Sequence, residues 1–159
     1  VLSTLHTNDA VSTANRLLDM GIEPFMLAAA LRGVVAQRLL RRVCPLCAQT
    51  RTVNEDEAAW LSRAGATDPT NVTLSEGKGC QHCDQTGYSG RIGLFELVEV
   101  DADMRESLRQ SDFAGFAARA QASPGYTPMA TSAVDFVRAG KTNVAEVMRV
   151  FGELVGGDD

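Results

Sequence analysis

The sequence has few histidines, no excess of basic residues and no long apolar run. Two histidines are present, and 15 lysines and arginines stand against 20 aspartates and glutamates, which gives a net charge of −5 over 159 residues. This acidic balance argues against broad nucleic-acid binding, because such binding calls for a basic surface. The most apolar stretch, residues 25–36, is interrupted by Arg32. It is shorter than the roughly 18 apolar residues of a membrane span.

Three well-known catalytic motifs are also missing. The sequence contains no G-x-x-x-x-G-K-[ST] phosphate loop, no G-x-S-x-G nucleophile elbow and no H-E-x-x-H metal motif. Phosphoryl transfer depends on a lysine-bearing phosphate cradle and a bound metal ion. We therefore expect these residues alone to hydrolyse no ATP.

The overall composition is that of a folded protein. The hydrophobic fraction is 45% and the charged fraction 22%, which excludes disorder of the whole chain. The length suits one domain, or one domain with a small satellite. Residue 1 is Val, and Val1–Leu5 has the apolar character of a strand already in progress. We therefore expect a piece of a longer protein that begins inside a sheet.

Four cysteines form the strongest chemical signal in the chain. They fall in two C-x-x-C pairs, Cys44 with Cys47 and Cys80 with Cys83. Such a pair can direct two thiolates to one centre, and two pairs supply the four sulfurs of a tetrahedral zinc site. The 32 intervening residues exceed the usual spacing of about 15–20. Loop-closure entropy grows only logarithmically with length, so the longer insert is tolerated.

Other uses of the four cysteines remain open. Two disulfides would require an oxidising compartment, a redox dithiol would account for one pair only, and an iron–sulfur cluster also takes four cysteines. We favour structural zinc, because Gly77, Gly79, Gly87 and Gly90 permit a tight knuckle around a metal. His82 lies inside the second pair and could replace a sulfur. We expect it at the surface, since four thiolates already close the site.

Two helices are predicted before the first cysteine pair. Thr7 or Asn8 can cap the first helix, and Gly21 can end it. The second helix is predicted over residues 23–42 and largely buried, because leucine and valine recur there at steps of four. Its last turns would carry Arg38, Arg41 and Arg42. A cationic helix end favoured by the helix dipole is the simpler interpretation, and a phosphate or intersubunit contact is the sharper one.

The remaining chain is predicted to be mostly helical, with one buried strand. Asn54 and Glu57 form a capping box for a helix that ends near Ala64. A short strand is expected near Val72. The segment 91–100 is almost continuously apolar, which predicts a strand buried on both faces. Further helices are expected after the capping residues Asp101, Asp112, Thr127 and Asn143.

His6 is the candidate for nucleotide chemistry. It follows the apolar segment that we expect to be a strand, and the carboxyl ends of strands are where open α/β sheets place ligands. A histidine there could sense or bond a phosphate. Equally, it could be a turn histidine that bonds its own helix cap.

Taken in order, these segments resemble the secretion ATPases, the hexameric motors of type II secretion and type IV pilus assembly. Residues 1–10 resemble the family's His box, and residues 16–21 and 36–39 resemble the motifs that follow it. Residues 80–96 are similar to the second half of the tetracysteine element in the assembly and secretion branch. Residues 113–154 look most like the branch that drives mannose-sensitive-haemagglutinin-type pili.

The resemblance implies a RecA-like fold for the chain, an α/β fragment with an inserted tetracysteine zinc module. Residues 1–43 would be the end of the ATPase core, residues 44–91 the zinc module, and residues 92–155 a strand with a C-terminal helical subdomain. His6 would lie near the terminal phosphate of the nucleotide. Arg38 would contact the nucleotide or a neighbouring subunit.

The resemblance also implies the function and partners of the parent protein. Six protomers would share nucleotide sites, with ATP and Mg²⁺ as cofactors, and would power pilus assembly or secretion. The motor would lie in the cytoplasm at the bacterial inner membrane, against the platform proteins of the pilus or secretion system. The alternatives are a stand-alone zinc module that binds protein or nucleic acid, and a dithiol oxidoreductase.

Overall fold

The structure contains seven α-helices and four strands within the residues that it describes. It is a computed structural model that describes the backbone of residues 1–155 and the side chains of residues 1–151. The element order is α1 (Ser12–Asp19), α2 (Pro24–Ala30), β1 (Gly33–Val43), β2 (Ala48–Thr52), α3 (Glu55–Arg63), β3 (Thr73–Gly77), β4 (Tyr88–Glu99), α4 (Ala102–Arg109), α5 (Phe113–Ala122), α6 (Met129–Arg138) and α7 (Val144–Val155). Short 3-10 turns lie at Pro69–Asn71 and Gln81–Cys83.

The chain divides into two compact units, each made of two separate stretches of sequence. The first unit comprises residues 1–37 and 95–128, and the second comprises residues 38–94 and those from 129 onward. Strand β1 pairs with β4 in one two-stranded sheet, and β2 pairs with β3 in another. The architecture is therefore mixed α/β.

The first unit is a helical cluster. Asp101 and Asp112 accept hydrogen bonds from the first turns of α4 and α5, at 2.8 Å in each case, which confirms both predicted caps. Helix α4 contacts α2 and α5. The core of this cluster consists of buried side chains, which include Leu27, Met104, Leu108 and Phe116.

The second unit packs three helices with the sheet of β2 and β3. The predicted capping box is present, because the Asn54 side chain accepts from the backbone of Glu57 and the Glu57 side chain accepts from the backbone of Asn54. Leu61 of α3 is fully buried, and the Trp60 ring meets Phe151 of α7 edge-on at 6.2 Å. Other buried members of this core are Leu74, Val137, Val144 and Val147.

Residues 1–7 form no strand, so the prediction of a strand at Val1–Leu5 is wrong for this structure. Val1 and Leu2 are fully exposed. A strand requires a hydrogen-bonded neighbour, and both described sheets have only two strands. An apolar segment without a neighbouring strand stays irregular.

The helix predicted over residues 23–42 is also wrong beyond Ala30. The chain turns extended at Leu31 and continues as β1, where burial alternates along the strand. Val35 and Leu39 are 62% and 48% exposed, although the helical pattern placed them inside. A spacing of four residues is also a multiple of the two-residue strand period, and adjacent β-branched valines favour a strand. The arginines predicted at a helix end accordingly lie on a strand.

Strand β4 forms as expected, but only one of its faces is buried. Leu94, Glu96 and Val98 are buried, whereas Phe95 and Leu97 are about half exposed. A two-stranded sheet has few neighbours to cover its second face, which explains why the continuous apolar run does not indicate burial on both sides.

A buried carboxylate joins α7 to β1 within the second unit. Glu146 is 1% exposed, and it accepts hydrogen bonds from the Arg41 backbone at 2.9 Å and from the Arg41 guanidinium at 2.6 Å. Arg149 donates to the same carboxylate at 2.8 Å. Burial raises the pKa of Glu146, but the hydrogen bonds from Arg149 and Arg41 outweigh it and lower the pKa to about 2.

We expect the second unit to lose stability when Glu146 is protonated. Its pKa lies below the ordinary value of 4.5, so its stabilising contribution is complete above that pH and is lost as the pH falls toward 2. We expect Glu146→Gln to lower the free energy of unfolding at neutral pH by about 2–3 kcal/mol. The variant should also flatten the acid-side decline, measured by urea unfolding as a function of pH. Exposed Glu55→Gln is the control, and an unchanged acid-side decline in Glu146→Gln would contradict the assignment.

Candidate functional site

The sheet of β2 and β3 brings the two cysteine pairs together. Strand β2 begins directly after Cys47, and β3 ends at Gly77, shortly before Cys80. The strands are antiparallel, with Ala48 opposite Gly77 and Thr52 opposite Thr73. The ladder continues into the site, since the Lys78 N–H donates to the Cys47 carbonyl at 3.1 Å. The intervening segment is therefore closed at its base by a regular strand pair.

Three glycines allow the backbone to close around the sulfurs. A Cβ added at Gly77 or at Gly87 would overlap the backbone of the other residue. The Gly87 carbonyl accepts from the Cys44 N–H at 2.9 Å, which fixes the first pair against the chain that follows the second. Gly79 and Gly87 also have φ values of +93° and +78°, which side-chain-bearing residues rarely adopt.

The four sulfur atoms form a compact cluster. All four lie within 4.8 Å of one another, with Sγ–Sγ distances of 3.9 Å for Cys44 and Cys80, 3.8 Å for Cys47 and Cys83, and 3.7 Å for Cys80 and Cys83. A tetrahedron with metal–sulfur bonds of about 2.3 Å has edges of about 3.8 Å. The cluster is therefore placed to hold a metal ion.

Two backbone N–H groups stabilise a negative charge on one of these sulfurs, that of Cys83. Cys83 Sγ accepts from the Cys80 N–H at 3.2 Å and from the Gly87 N–H at 3.3 Å. Burial raises the pKa of the Cys83 thiol, but these two donors, together with hydrogen bonds from the Cys80 and Cys47 thiols, outweigh it and lower the pKa to about 6. Burial likewise raises the pKa of the Cys47 thiol, to about 11. Because metals bind thiolates, the donors at Cys83 fit a metal site.

The arrangement narrows the alternatives for the cysteines. All four are free thiols here, and each pair contributes to one shared cluster, whereas a redox dithiol needs one pair only. His82 is exposed, as expected, and its Nε2 lies 3.3 Å from the Ser89 hydroxyl. It stands outside the sulfur cluster. A tetrahedral set of four sulfurs is typical of zinc or of iron–sulfur chemistry.

The second candidate region is the turn that carries His6. His6 itself is exposed. Asp9 Oδ1 accepts from the N–H of Ser12, the first residue of α1, at 2.6 Å. The residue at the N-cap is Val11, which forms no side-chain cap bond, whereas the sequence predicted Thr7 or Asn8 there. Thr7 instead forms a hydroxyl contact with Thr13 at 2.8 Å. Hydrogen bonds to Ser12 and Thr13 of α1 therefore hold the turn in place. A role for His6 in nucleotide binding stays a prediction.

A buried glutamate that was not predicted from the sequence, Glu96, holds this turn. Glu96 is 5% exposed, and its Oε1 accepts from the Ala10 N–H at 2.9 Å. Burial, together with the charges of Glu96 and Asp9 and a hydrogen bond to Glu96, raises the pKa of Tyr126 to about 12. A glutamate inside an apolar strand was the available signal, since a charge at a buried strand position requires a partner.

Arg38 lies on β1 and is partly exposed. The predicted nucleotide or intersubunit contact stays a prediction. Its neighbour Arg41 has a different role from the one expected, because it pairs with Glu146 and its guanidinium lies 4.1 Å from the centre of the Tyr88 ring.

Comparison with known proteins identifies the family. Residues 1–149 match the model of the type II/IV secretion system protein family. The match covers the His6 turn, the cysteine cluster and most of the helices that follow. The chain belongs to this family.

Individual relatives carry more specific names. The chain is 43% identical over 154 residues to type II secretion system protein E of Pectobacterium carotovorum, and the alignment covers 96% of the chain and 30% of that relative. It is 40% identical to type II secretion system ATPase E of Vibrio cholerae, with the same coverage. It is 36% identical to the type IV pilus assembly ATPase TfpB of Acinetobacter baylyi, over 94% of the chain and 26% of that relative. The chain thus spans about three tenths of the length of these curated relatives.

We expect the contact between Gly77 and Gly87 to be required for the cysteine cluster. Gly87 and Gly90 have nearly equal φ values, +78° and +76°, but a Cβ at Gly90 meets nothing within 4 Å. Gly90→Ala should therefore cost only the backbone strain, about 1 kcal/mol. Gly87→Ala should cost at least about 2 kcal/mol more and weaken metal binding, because the backbone must shift. Equal losses of thermal stability and metal affinity in the two variants would contradict this.

Proposed function

We propose that this chain is the C-terminal part of a hexameric ATPase motor that powers type II secretion or type IV pilus assembly. The observation that carries the proposal is the family match over residues 1–149. Relatives that are named as secretion and pilus-assembly ATPases support it, and the chain covers less than a third of each. The motif-poor sequence is consistent with this, since the phosphate loop and the metal-binding carboxylates would belong to the rest of the parent protein.

In this proposal the parent protein binds ATP and Mg²⁺ and works beside inner-membrane platform proteins, on the cytoplasmic side. The chain contributes part of a RecA-like domain, with His6 near the terminal phosphate and Arg38 at the nucleotide or a neighbouring subunit. The placement of the C-terminal segment in the mannose-sensitive-haemagglutinin-type branch stays a prediction from the sequence. Among the described residues, none of the helices is long and apolar enough to cross a membrane.

We further propose that the four cysteines hold one structural zinc ion. The Sγ–Sγ distances agree with a tetrahedron around zinc, and four protein ligands leave no open position for a reactive water. The metal would tie the base of β2 and β3 to the chain around Gly87. A stand-alone zinc module is not favoured, because the family match continues well beyond residues 44–91.

Replacing one cysteine should remove the metal and loosen the segment between the pairs. We expect the chain to bind about one zinc per molecule. Cys80→Ser should abolish tight binding and reduce amide-exchange protection in β2 and β3, while α4 and α5 in the other unit keep theirs. Exposed His82→Ala is the matched control and should retain full zinc content by elemental analysis.

Two results would overturn the zinc proposal. Iron in place of zinc, or a cobalt-substituted protein without the absorption of a tetrahedral thiolate site, would assign the cluster to another metal. Unchanged circular dichroism and thermal stability after chelation would show that the metal is not structural.

Measurements of ATP turnover on the chain alone and on the longer parent protein test what the chain contributes to catalysis. We expect no turnover from the purified 159-residue chain, because phosphoryl transfer needs a lysine cradle and a bound metal. In the longer protein that carries this chain, His6→Ala should lower kcat about tenfold or more, and His82→Ala should leave it unchanged. The measurement is phosphate release under saturating Mg²⁺ and ATP. Turnover by the chain alone that is sensitive to His6→Ala would contradict the proposal.

A further inference from the structure

A basic cleft lies between α2 and α4 in the first unit, apart from both candidate regions described above. It has a volume of about 320 Å³, and its lining consists of Ala28, Ala29, Arg32, Arg105 and Arg109. The two alanines come from α2, Arg32 from the loop before β1, and the other two arginines from α4. Three arginine residues therefore line one small concave surface.

Contacts with Val100 fix the backbone of Arg32 and the side chain of Arg105. The Arg32 carbonyl accepts from the Val100 N–H at 2.9 Å, and the Arg105 guanidinium donates to the Val100 carbonyl at 3.0 Å. Arg105 is partly buried. A guanidinium carries five N–H donors, so the contact with Val100 leaves donors of Arg105 for a ligand.

The positive charge of the cleft is only partly neutralised. Within the side chains that the structure describes, Arg109 is the one arginine of the three that forms an ion pair, with Glu106 at 2.9 Å. Both members of that pair are about half exposed, so solvent screens it and it is weak. The lining of the cleft therefore has a net positive charge, which a bound anion can neutralise.

We propose that this cleft binds a phosphate group. Three arginines that line one small cavity are suited to a tetrahedral oxyanion, because a guanidinium can donate two parallel hydrogen bonds to it. The small alanine side chains leave the necessary room, and the volume lies at the lower end of the range for small-ligand sites. The cleft is too small for an extended acidic peptide. The phosphate can come from a small phosphorylated molecule or from a lipid headgroup.

The test is a titration of the chain with inorganic phosphate at constant ionic strength. Binding is monitored through the NMR chemical shifts of the backbone amides and arginine side chains. We expect saturable shifts at residues 29, 32, 100 and 105 at millimolar phosphate. Arg32→Gln should weaken binding about tenfold through loss of charge-assisted hydrogen bonds. Ala29→Leu should weaken it similarly by filling the cleft without changing the charge. Arg63→Gln on α3 is the matched charge control and should have no effect.

Substitution of Glu106 gives a test of opposite sign. Glu106→Gln removes the carboxylate that competes for Arg109, so we expect phosphate binding to become about threefold tighter. A purely structural role for these residues would not produce this gain. Circular dichroism of each variant verifies that the fold is retained.

Vesicles distinguish the two sources of phosphate. Co-sedimentation with phosphatidylglycerol vesicles that is lost in Arg32→Gln assigns the site to a lipid headgroup, and phosphate binding without vesicle binding assigns it to a small phosphorylated molecule. Absence of saturable shifts at millimolar phosphate, an equal effect of Arg63→Gln and Arg32→Gln, or equally tight binding of polyglutamate would overturn the proposal. Neither zinc content nor ATP turnover enters these readouts, so the result is independent of the proposed function.

Discussion

The antiparallel pairing of β2 with β3 is the constraint on which the cysteine cluster depends. The two C-x-x-C pairs are 32 residues apart in sequence, and each pair by itself fixes only two sulfurs. With Ala48 opposite Gly77, the strands bring the end of the first pair beside the approach to the second. The entropy of closing such a segment rises slowly with its length, so a ladder, a capped helix and a metal can offset it together. The segment between the two cysteine pairs is thus a folded part of the site and not a flexible linker.

The parts that the sequence predicted well are those fixed by near neighbours. A C-x-x-C turn, an Asn54–Glu57 capping box and the aspartate caps of α4 and α5 each depend on residues three positions apart. These interactions form in the same way in almost any tertiary context. The cysteine cluster was predictable for the same reason, because the two local turns limit how four sulfurs can meet. The family assignment followed from the order of several such local motifs.

The errors in assigning strands, helices and buried faces arose where distant partners decide the structure. The same spacing of four residues suits a helix and one face of a strand, so only the pairing of β1 with β4 settles residues 33–43. The expected strand at Val1–Leu5 failed for the converse reason, since the described sheets supply no neighbour for it. The face of β4 that carries Phe95 shows the same limit. The apolar character of a segment shows that its strand can be buried. Which of its faces are buried depends on how many helices or sheets pack against the strand.

The two buried glutamates show how long-range pairing builds each unit. Both units consist of two separate stretches of sequence, and in each a buried carboxylate bonds one stretch to the other. Glu96 reaches Ala10, 86 residues away, and Glu146 reaches Arg41, 105 residues away. A buried charge is costly unless it is fully hydrogen-bonded, so each glutamate favours the one arrangement in which its partners are present. The charges that interrupt the apolar pattern of β4 and α7 therefore specify which distant segments belong together.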